Sequence, residues 1–462
     1  MTKENIVESN TRPTQSGERV SQGLQGVRER ARRNKQERFT ALLHHVTPEL
    51  LRESFYALKR KAAPGVDGMT WKEYATGLED RLKDLHGRVH RGAYRAQPSR
   101  RIYIPKANGQ QRPLGIAALE DKIVQQAVVT VLNAIYEEDF RGFSYGFRPG
   151  RSQHMALDAL YVAIKRKRVN WILDLDLKSF FDNIPKEELI QLVGKRIADP
   201  RILRLIQKWL KAGVMEDGVW SETEAGTPQG AVISPLLSNV YLHYVLDQWT
   251  DQWRQQARGD VTIVRYADDA ILGFERQDEA ERYLGELQEH LREYGLELNA
   301  DKTRLIRFGR FAALNRAERG EGKPEAFTFL GFQHVCGKNR QGRFEVRRIT
   351  DGQRRRKKLL EVKQEIRRRM HVPIAQVGEW LQSVLRGYYQ YHAIPGNQSV
   401  LAHFRHQVVR YWYRVLSQRS QRRPTWNQLA PIFDHWLPIP QVVHAYPDAR
   451  FDARRRQASH PR

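Results

Sequence analysis

The chain has 462 residues, 40% hydrophobic and 28% charged, a balance that suits two or three packed units and excludes wholesale disorder. Its 78 Lys and Arg against 53 Asp and Glu give a formal charge of +25, which favours a polyanionic partner, most often nucleic acid, because cations on phosphates release condensed counterions. No run nears the roughly 18 apolar residues of a membrane span, the polar start lacks a secretory pattern, and the single cysteine, Cys336, excludes an intramolecular disulfide and a multi-cysteine zinc site. No membrane partner is expected, and a reducing cytoplasm is the expected compartment.

Residues 1 to about 36 are polar and weakly periodic, and disorder is expected where they begin. Helical spacing starts at Phe39 and runs to a turn at Ala63 to Gly68. Arg101 to Pro105 alternates like a strand, and Ala107 to Gln110 reads as a hairpin turn into a second strand, Arg112 to Ile116. Trp171 to Leu177 alternates again, with Asp174 and Asp176 on one face and Trp171, Leu173, Leu175 and Leu177 on the other. Helices are predicted over 187–195 and 201–212. Val261 to Phe274 reads as strand, tight turn at Ala267-Asp268, strand. A helix over 278–294 should align Leu284, Leu287 and Leu291 on one side. A very basic helix follows over 354–370 and an aromatic-rich one over 376–393. Between 341 and 462 there are 24 Lys and Arg and only 8 Asp and Glu, the concentration expected of a binding surface. Strands and helices interleave without regular βαβ order, which predicts an α+β fold.

Asp268 and Asp269 at the tip of an apolar hairpin repel each other unless a cation lies between them. Joining nucleotides requires activating a 3′-hydroxyl and neutralising a highly charged phosphate, which two divalent ions do when several carboxylates converge. Oxygen ligands without imidazole or thiolate point to Mg²⁺.

Tyr266-Ala267-Asp268-Asp269 resembles the signature loop of reverse transcriptases, and Asp176 to Ile184 resembles their first palm motif. Gly226 to Gly230, continued by Ile233 to Asn239, resembles the nucleotide-side palm motif. With Pro105 to Ile116, Tyr145 to Ser152, Gly295 to Thr303 and Phe329 to Phe332, seven motifs stand in the order of group II intron-encoded reverse transcriptases, or maturases, over about residues 60 to 335. The resemblance implies a right-hand polymerase with fingers, an antiparallel-sheet palm and a helical thumb. It implies an N-terminal extension over 1–60, fingers and palm over 61–340, a thumb or maturase domain over 341–445 and a short basic tail over 446–462.

The same resemblance implies roles for individual residues. Asp176, Asp268 and Asp269, with Leu177 beside them, would hold two Mg²⁺ ions, Mn²⁺ being able to substitute. Asp174 and Asp182 are read as structural acids. Phe181 stands at the position of the steric gate against a ribose 2′-hydroxyl. Lys106 and Arg112 would grip the triphosphate, Gln229 would contact the incoming nucleotide, and Lys302 would protonate the pyrophosphate leaving group. Arg354, Arg355, Arg356, Lys357, Lys358, Arg367, Arg368 and Arg369 would follow an RNA backbone. The tyrosines and tryptophan behind them, Tyr388, Tyr389 and Trp412 among them, are expected in the core. Arg386 to Tyr391 is similar to the thumb motif but lacks the asparagine usual before its tyrosines.

The implied activity is RNA-directed DNA synthesis from dNTPs, on an RNA template and a DNA primer or target, with group II intron RNA as the partner in splicing and mobility. A cellular reverse transcriptase without an intron, or a maturase that only binds RNA, stays open at this point. The few residues after about 446 are too few for the HNH endonuclease of many relatives, and none is expected.

Overall fold

The computed structural model describes residues 15–105, 111–216, 218–221, 226, 230–419 and 424–459. Lys106, Gln229 and the Ala107 to Gln110 turn lie outside the described residues. The chain forms two compact units interleaved in sequence. One takes Met1–Arg151, Leu177–Gln256 and Gly285–Asn299, and the other takes Ser152–Asp176, Ala257–Leu284 and Ala300–Arg462. No helix among the described residues is long and apolar enough to cross a membrane.

The first unit is built around the helix Leu119–Asp139, which buries Ile123, Val124, Ala127, Val128, Val131, Leu132, Ile135 and Tyr136. Apolar positions all around mark an internal helix. The helices Gln15–Arg33 and Pro48–Ala57 pack against it. Order therefore begins well before Phe39, where sequence periodicity placed it. Two small apolar side chains, Val27 and Ala31, and the paired hydrogen bonds from Arg32 to Glu138 at 2.9 and 3.2 Å hold a segment too polar to show a pattern. The predicted hairpin is present as Ser99–Pro105 and Gln111–Ile116, registered from Arg100 opposite Ile116 to Pro105 opposite Gln111. It is widened by a second hairpin, Val214–Glu216 with Val219–Ser221, to give a four-stranded sheet. Strands of three residues are too short to alternate visibly, so sequence reading passed over them. The helix Pro200–Lys211 begins at an Asp199 cap and buries Ile202, Leu205, Ile206, Trp209 and Leu210.

The second unit contains an antiparallel sheet in the order Val261–Tyr266, Asp269–Phe274, Trp171–Leu175, Arg304–Arg307. The helix Gln153–Arg166 covers it. Ile172 is buried along with Leu173 and Leu175, so the acid-bearing face of the central strand is covered too. The expected alternation of one wet and one dry face holds only at Asp174 and beyond. The helix Gln277–Glu293 runs through both units, and its buried stripe is Ala280, Tyr283, Leu287 and Leu291. Leu284, expected on that stripe, is only partly covered.

Phe327–Phe329, Phe332–Lys338 and Phe344–Thr350 form a three-stranded antiparallel sheet. Four helices follow: Gly352–Arg368, Ile374–His392, Gln398–Gln418 and Trp426–Trp436. They share a core in which Tyr388, Tyr389 and Trp412 are buried; Tyr388 stacks on Phe404 at 3.9 Å. The terminal segment, expected as a short tail, contains a helix, Pro447–Ser459. It packs on Gln153–Arg166 through Lys165–Asp448 at 2.8 Å and Arg166–Asp452 at 2.7 Å. Helices combine with two antiparallel sheets and with the mixed sheet of the first unit, where Ser99–Pro105 runs parallel to Val214–Glu216, as α+β, as expected.

Candidate active site

The pairing of Tyr266 with Asp269 leaves Ala267 and Asp268 as a two-residue connection between strands. Ala267 adopts φ 58°, a left-handed conformation that costs a non-glycine residue roughly 1–2 kcal/mol. Its carbonyl accepts a hydrogen bond at 2.8 Å from Arg265, whose side chain is fully buried. Ile263, Val264, Ala270, Ile271 and Leu272 anchor both strands in the core. A rigid apolar ribbon thus carries two carboxylates at its end.

Asp176 reaches the same end of the sheet along the central strand. Leu175 pairs with Ala270, so Asp176 and Asp269 are the next residues along this ladder and point to one face. Burial first, and then the charges of Asp268 and Asp176, push the Asp269 carboxyl up to about 7, with Arg354 opposing and Asp174 adding a little. Asp269 still has solvent-accessible surface, so it is crowded by protein yet reachable. Asp176 is held from the side: Lys302 Nζ donates to its two oxygens at 3.1 and 3.3 Å, and its backbone N–H donates to Thr303 Oγ1 at 3.4 Å. Asp174 faces Arg304 at 3.9 Å. Burial raises its carboxyl to about 6, against the pull of Arg304.

Three acids converging without imidazole or thiolate suit a hard divalent cation. A crowded carboxylate beside two other acids is a charge excess that such an ion relieves. Among the described residues no three His, Cys, Asp or Glu side chains form a ready-made cage, and Asp176 is engaged by Lys302. A hard divalent ion held by these acids would therefore take the rest of its coordination from other oxygen donors.

Leu177, Phe181 and Arg112 lie in the other unit. Leu177 is buried and bridges to Leu298; only its carbonyl could serve an ion. Ser179 takes φ 47° and starts the short helix Phe180–Asn183. Phe180 is buried, and Phe181 is half-buried, edge-on to it at 5.3 Å. Gly226, at φ 87°, lies so close to this turn that a Cβ would sit 2.7 Å from the Phe181 carbonyl oxygen. Its N–H donates to Ile184 O at 2.9 Å. A glycine is thus required where two motifs meet. Arg112 is exposed on its strand opposite Ile104.

Of the basic residues, Arg354, Arg356, Lys357, Arg367 and Arg368 are exposed, while Arg355, Lys358 and Arg369 are partly covered. Lys358 pairs with Glu361 and Arg369 with Glu365; Arg369 also lies over the Trp380 ring. Arg354 Nη1 would be 3.0 Å from a Cβ on Gly331, and its charge reaches Asp269, so it belongs to the acid site as much as to the helix surface. Sequence reading missed Arg265, Thr303 and Arg304. A lone charge within the apolar Val261–Tyr266 strand was the available signal for Arg265.

Residues 104–334 match the family model described as reverse transcriptase (RNA-dependent DNA polymerase). The Escherichia coli protein YkfC is 35% identical over 67% of this chain and 86% of its own length. The Lactococcus lactis group II intron-encoded protein LtrA is 39% identical over 47% of this chain, a match spanning 37% of that protein. The RNA-directed DNA polymerase from the mobile element jockey of Drosophila funebris is 27% identical over 57% of this chain and 32% of its own. With Asp176, Asp268 and Asp269 at the end of one antiparallel sheet, the chain belongs to the reverse transcriptase family, the RNA-dependent DNA polymerases, and within it to the group II intron-encoded kind.

Proposed function

We propose that this chain copies RNA into DNA with two divalent ions, Mg²⁺ foremost and Mn²⁺ as a substitute, and that it also binds group II intron RNA to assist splicing and mobility. The observation that carries the reading is the convergence of Asp176, Asp268 and Asp269 at one end of the sheet, where strand pairing brings Asp176 and Asp269 to neighbouring positions and burial, then the two neighbouring acids, push the Asp269 carboxyl up. Asp176, Asp268 and Asp269, with the Leu177 carbonyl, would hold the ions, which when bound activate the primer 3′-hydroxyl and neutralise the triphosphate.

Lys302 keeps Asp176 in place in the absence of substrate and in the reaction gives a proton to departing pyrophosphate. Arg112 and Lys106 clamp the triphosphate, Gln229 contacts the nucleotide, and the Phe181 ring excludes a 2′-hydroxyl. Residues 1–60 act as an N-terminal extension, 61–340 as fingers and palm, 341–445 as a thumb that tracks RNA, and 446–462 as a tail. RNA template, DNA primer or target, dNTPs and intron RNA are the partners, in the cytoplasm.

The test is primer extension on an RNA template with dNTPs and Mg²⁺, Mn²⁺ or chelator, beside binding of ribozyme RNA and of a scrambled control. Metal-dependent extension and a preference for the folded RNA support the reading. Extension insensitive to chelator, or no extension, counts against the polymerase. Equal binding of both RNAs counts against the intron partner.

A further inference from the structure

The proposed chemistry leaves one strongly charged surface unused, and it lies wholly within the first unit. The Pro200–Lys211 helix hides its apolar residues and turns Arg201, Arg204, Lys208 and Lys211 away from them. At offsets of three, seven and ten residues these four fall on one stripe, about 15 Å long at 1.5 Å per residue. The C-terminal end of the helix Leu78–His90 adds Arg91. His90, Arg91, Arg201, Arg204 and Lys208 line a pocket of about 110 Å³. That is room for roughly four waters at about 30 Å³ each, or for one phosphate group.

Sequence and pairing leave much of this charge uncompensated. No acid occurs between Asp84 and Glu120 or between Asp199 and Glu216. The flanking acids are engaged: Asp84 and Glu120 by Arg88 at 2.7 and 2.9 Å, Glu216 by Arg101 at 3.9 Å. Asp199 takes Arg201 and the N–H groups of Leu42 and Leu43. Lys208 donates to the carbonyls of Gly92 and Tyr94 and so fixes the pocket wall. Arg91, Arg204 and Lys211 meet no acidic partner among the described residues.

Helix electrostatics do not account for the arrangement. Arg91 at a helix C-terminus is favourable, and Arg201 is paired with the Asp199 cap, but Arg204 in the next turn, where the dipole does not favour a cation, has no acid beside it among the described residues. Arg91 and Arg204, which line the same pocket without an acidic partner among the described residues, make it an anion site. A membrane surface would need exposed apolar residues beside the cations, and those of this helix are buried.

We propose that this pocket and stripe bind the phosphodiester backbone of folded RNA, as a binding surface additional to the basic helix Gly352–Arg368. The choice of RNA among polyanions rests on the intron partner proposed above. The probe is a blunt RNA duplex with blocked 3′ ends, which binds without being extended. The variant is Arg91→Gln, Arg204→Gln, Lys211→Gln, all at exposed positions, with Arg204→Glu as a second. The triple variant is expected to weaken duplex binding by on the order of tenfold at physiological salt and to flatten its salt dependence by about one unit for each phosphate no longer neutralised. Arg204→Glu should act in the same direction. Extension of a primed template at saturation should match the parent. Parent extension run in parallel reports on the polymerase reading alone, and its failure leaves the duplex comparison intact. Unchanged affinity and slope, the result expected of a protein-docking or merely solvated face, would overturn the proposal. So would a raised KM for the primed template with duplex binding unchanged, because the face would then belong to the template track.

Discussion

Asp174 and Asp176 stand two residues apart on one strand, yet their surroundings divide their work. Asp174 is covered and faces Arg304, whereas Asp176 lies past the last ladder pair and meets Lys302. Asp174→Asn should keep primer extension within about tenfold of the parent and change stability by no more than about 1 kcal/mol, the scale of one partly exposed ion pair. Loss of extension equal to that of Asp176→Asn, in a side-by-side rate measurement, would put Asp174 among the reactive acids. Phe181 allows a sharper distinction. If its half-buried ring blocks a 2′-hydroxyl, Phe181→Val should raise the ribonucleotide-to-deoxyribonucleotide ratio of kcat/KM by at least about tenfold. A packing residue would lower both values alike, and the ratio cancels uniform damage. At this scale the acids were legible in the sequence because two adjacent carboxylates ended apolar strands. Arg265 and Arg304 were not, since what defines them is a partner reached only after the sheet closes.

At the scale of elements, the terminal helix Pro447–Ser459 is joined to Gln153–Arg166 beside a histidine cluster. His154 lies against His444, with ring centres 4.0 Å apart and planes tilted by 33°, and near Tyr391; both of its ring nitrogens are buried without a partner among the described residues. Burial first, then His444, Arg450, Arg348 and His392, hold His154 down at about 3. Buried Asp158, one turn along, takes Arg348 and Arg450. The folded state therefore keeps His154 neutral while the unfolded chain takes up a proton below about 6.5, so stability present above that pH is lost as pH falls toward 3. Denaturant titrations across this range should show His154→Gln flattening the decline relative to the parent; parallel curves would remove His154 from the account.

A second element-scale prediction concerns Gly352–Arg368. Replacing Arg354, Arg355, Arg356, Lys357 and Lys358 by Gln should weaken RNA binding and lower its salt slope by about one unit for each phosphate these side chains neutralise. Affinity and slope matching the parent would make the run a solvated face. Long periodic elements were readable to within a few residues: 187–195 against Lys186–Gly194, 201–212 against Pro200–Lys211, and 376–393 against Ile374–His392. The strands Val214–Glu216 and Val219–Ser221 and the terminal helix were not, because their order comes from neighbours distant in sequence.

For the whole molecule, the seven motifs predicted the family and the α+β fold because each marks a backbone or charge requirement: Gly226 at a close approach, Ala267 in a left-handed turn, acids at a sheet end. What the motifs did not convey is that the chain weaves between two compact units, since strand neighbours in an antiparallel sheet need not be neighbours in sequence. Charge was legible in total but not in placement, and the Pro200–Lys211 stripe emerged only from the fold. The central claim is that Asp176, Asp268 and Asp269 form one cation-dependent centre for DNA synthesis. It is tested most directly by Asp268→Asn, which keeps shape and removes one charge. Primer extension on an RNA template and RNA binding should be measured on one preparation. The account predicts extension lower by on the order of a thousandfold with RNA affinity within about threefold of the parent. Extension within about tenfold of the parent would contradict it.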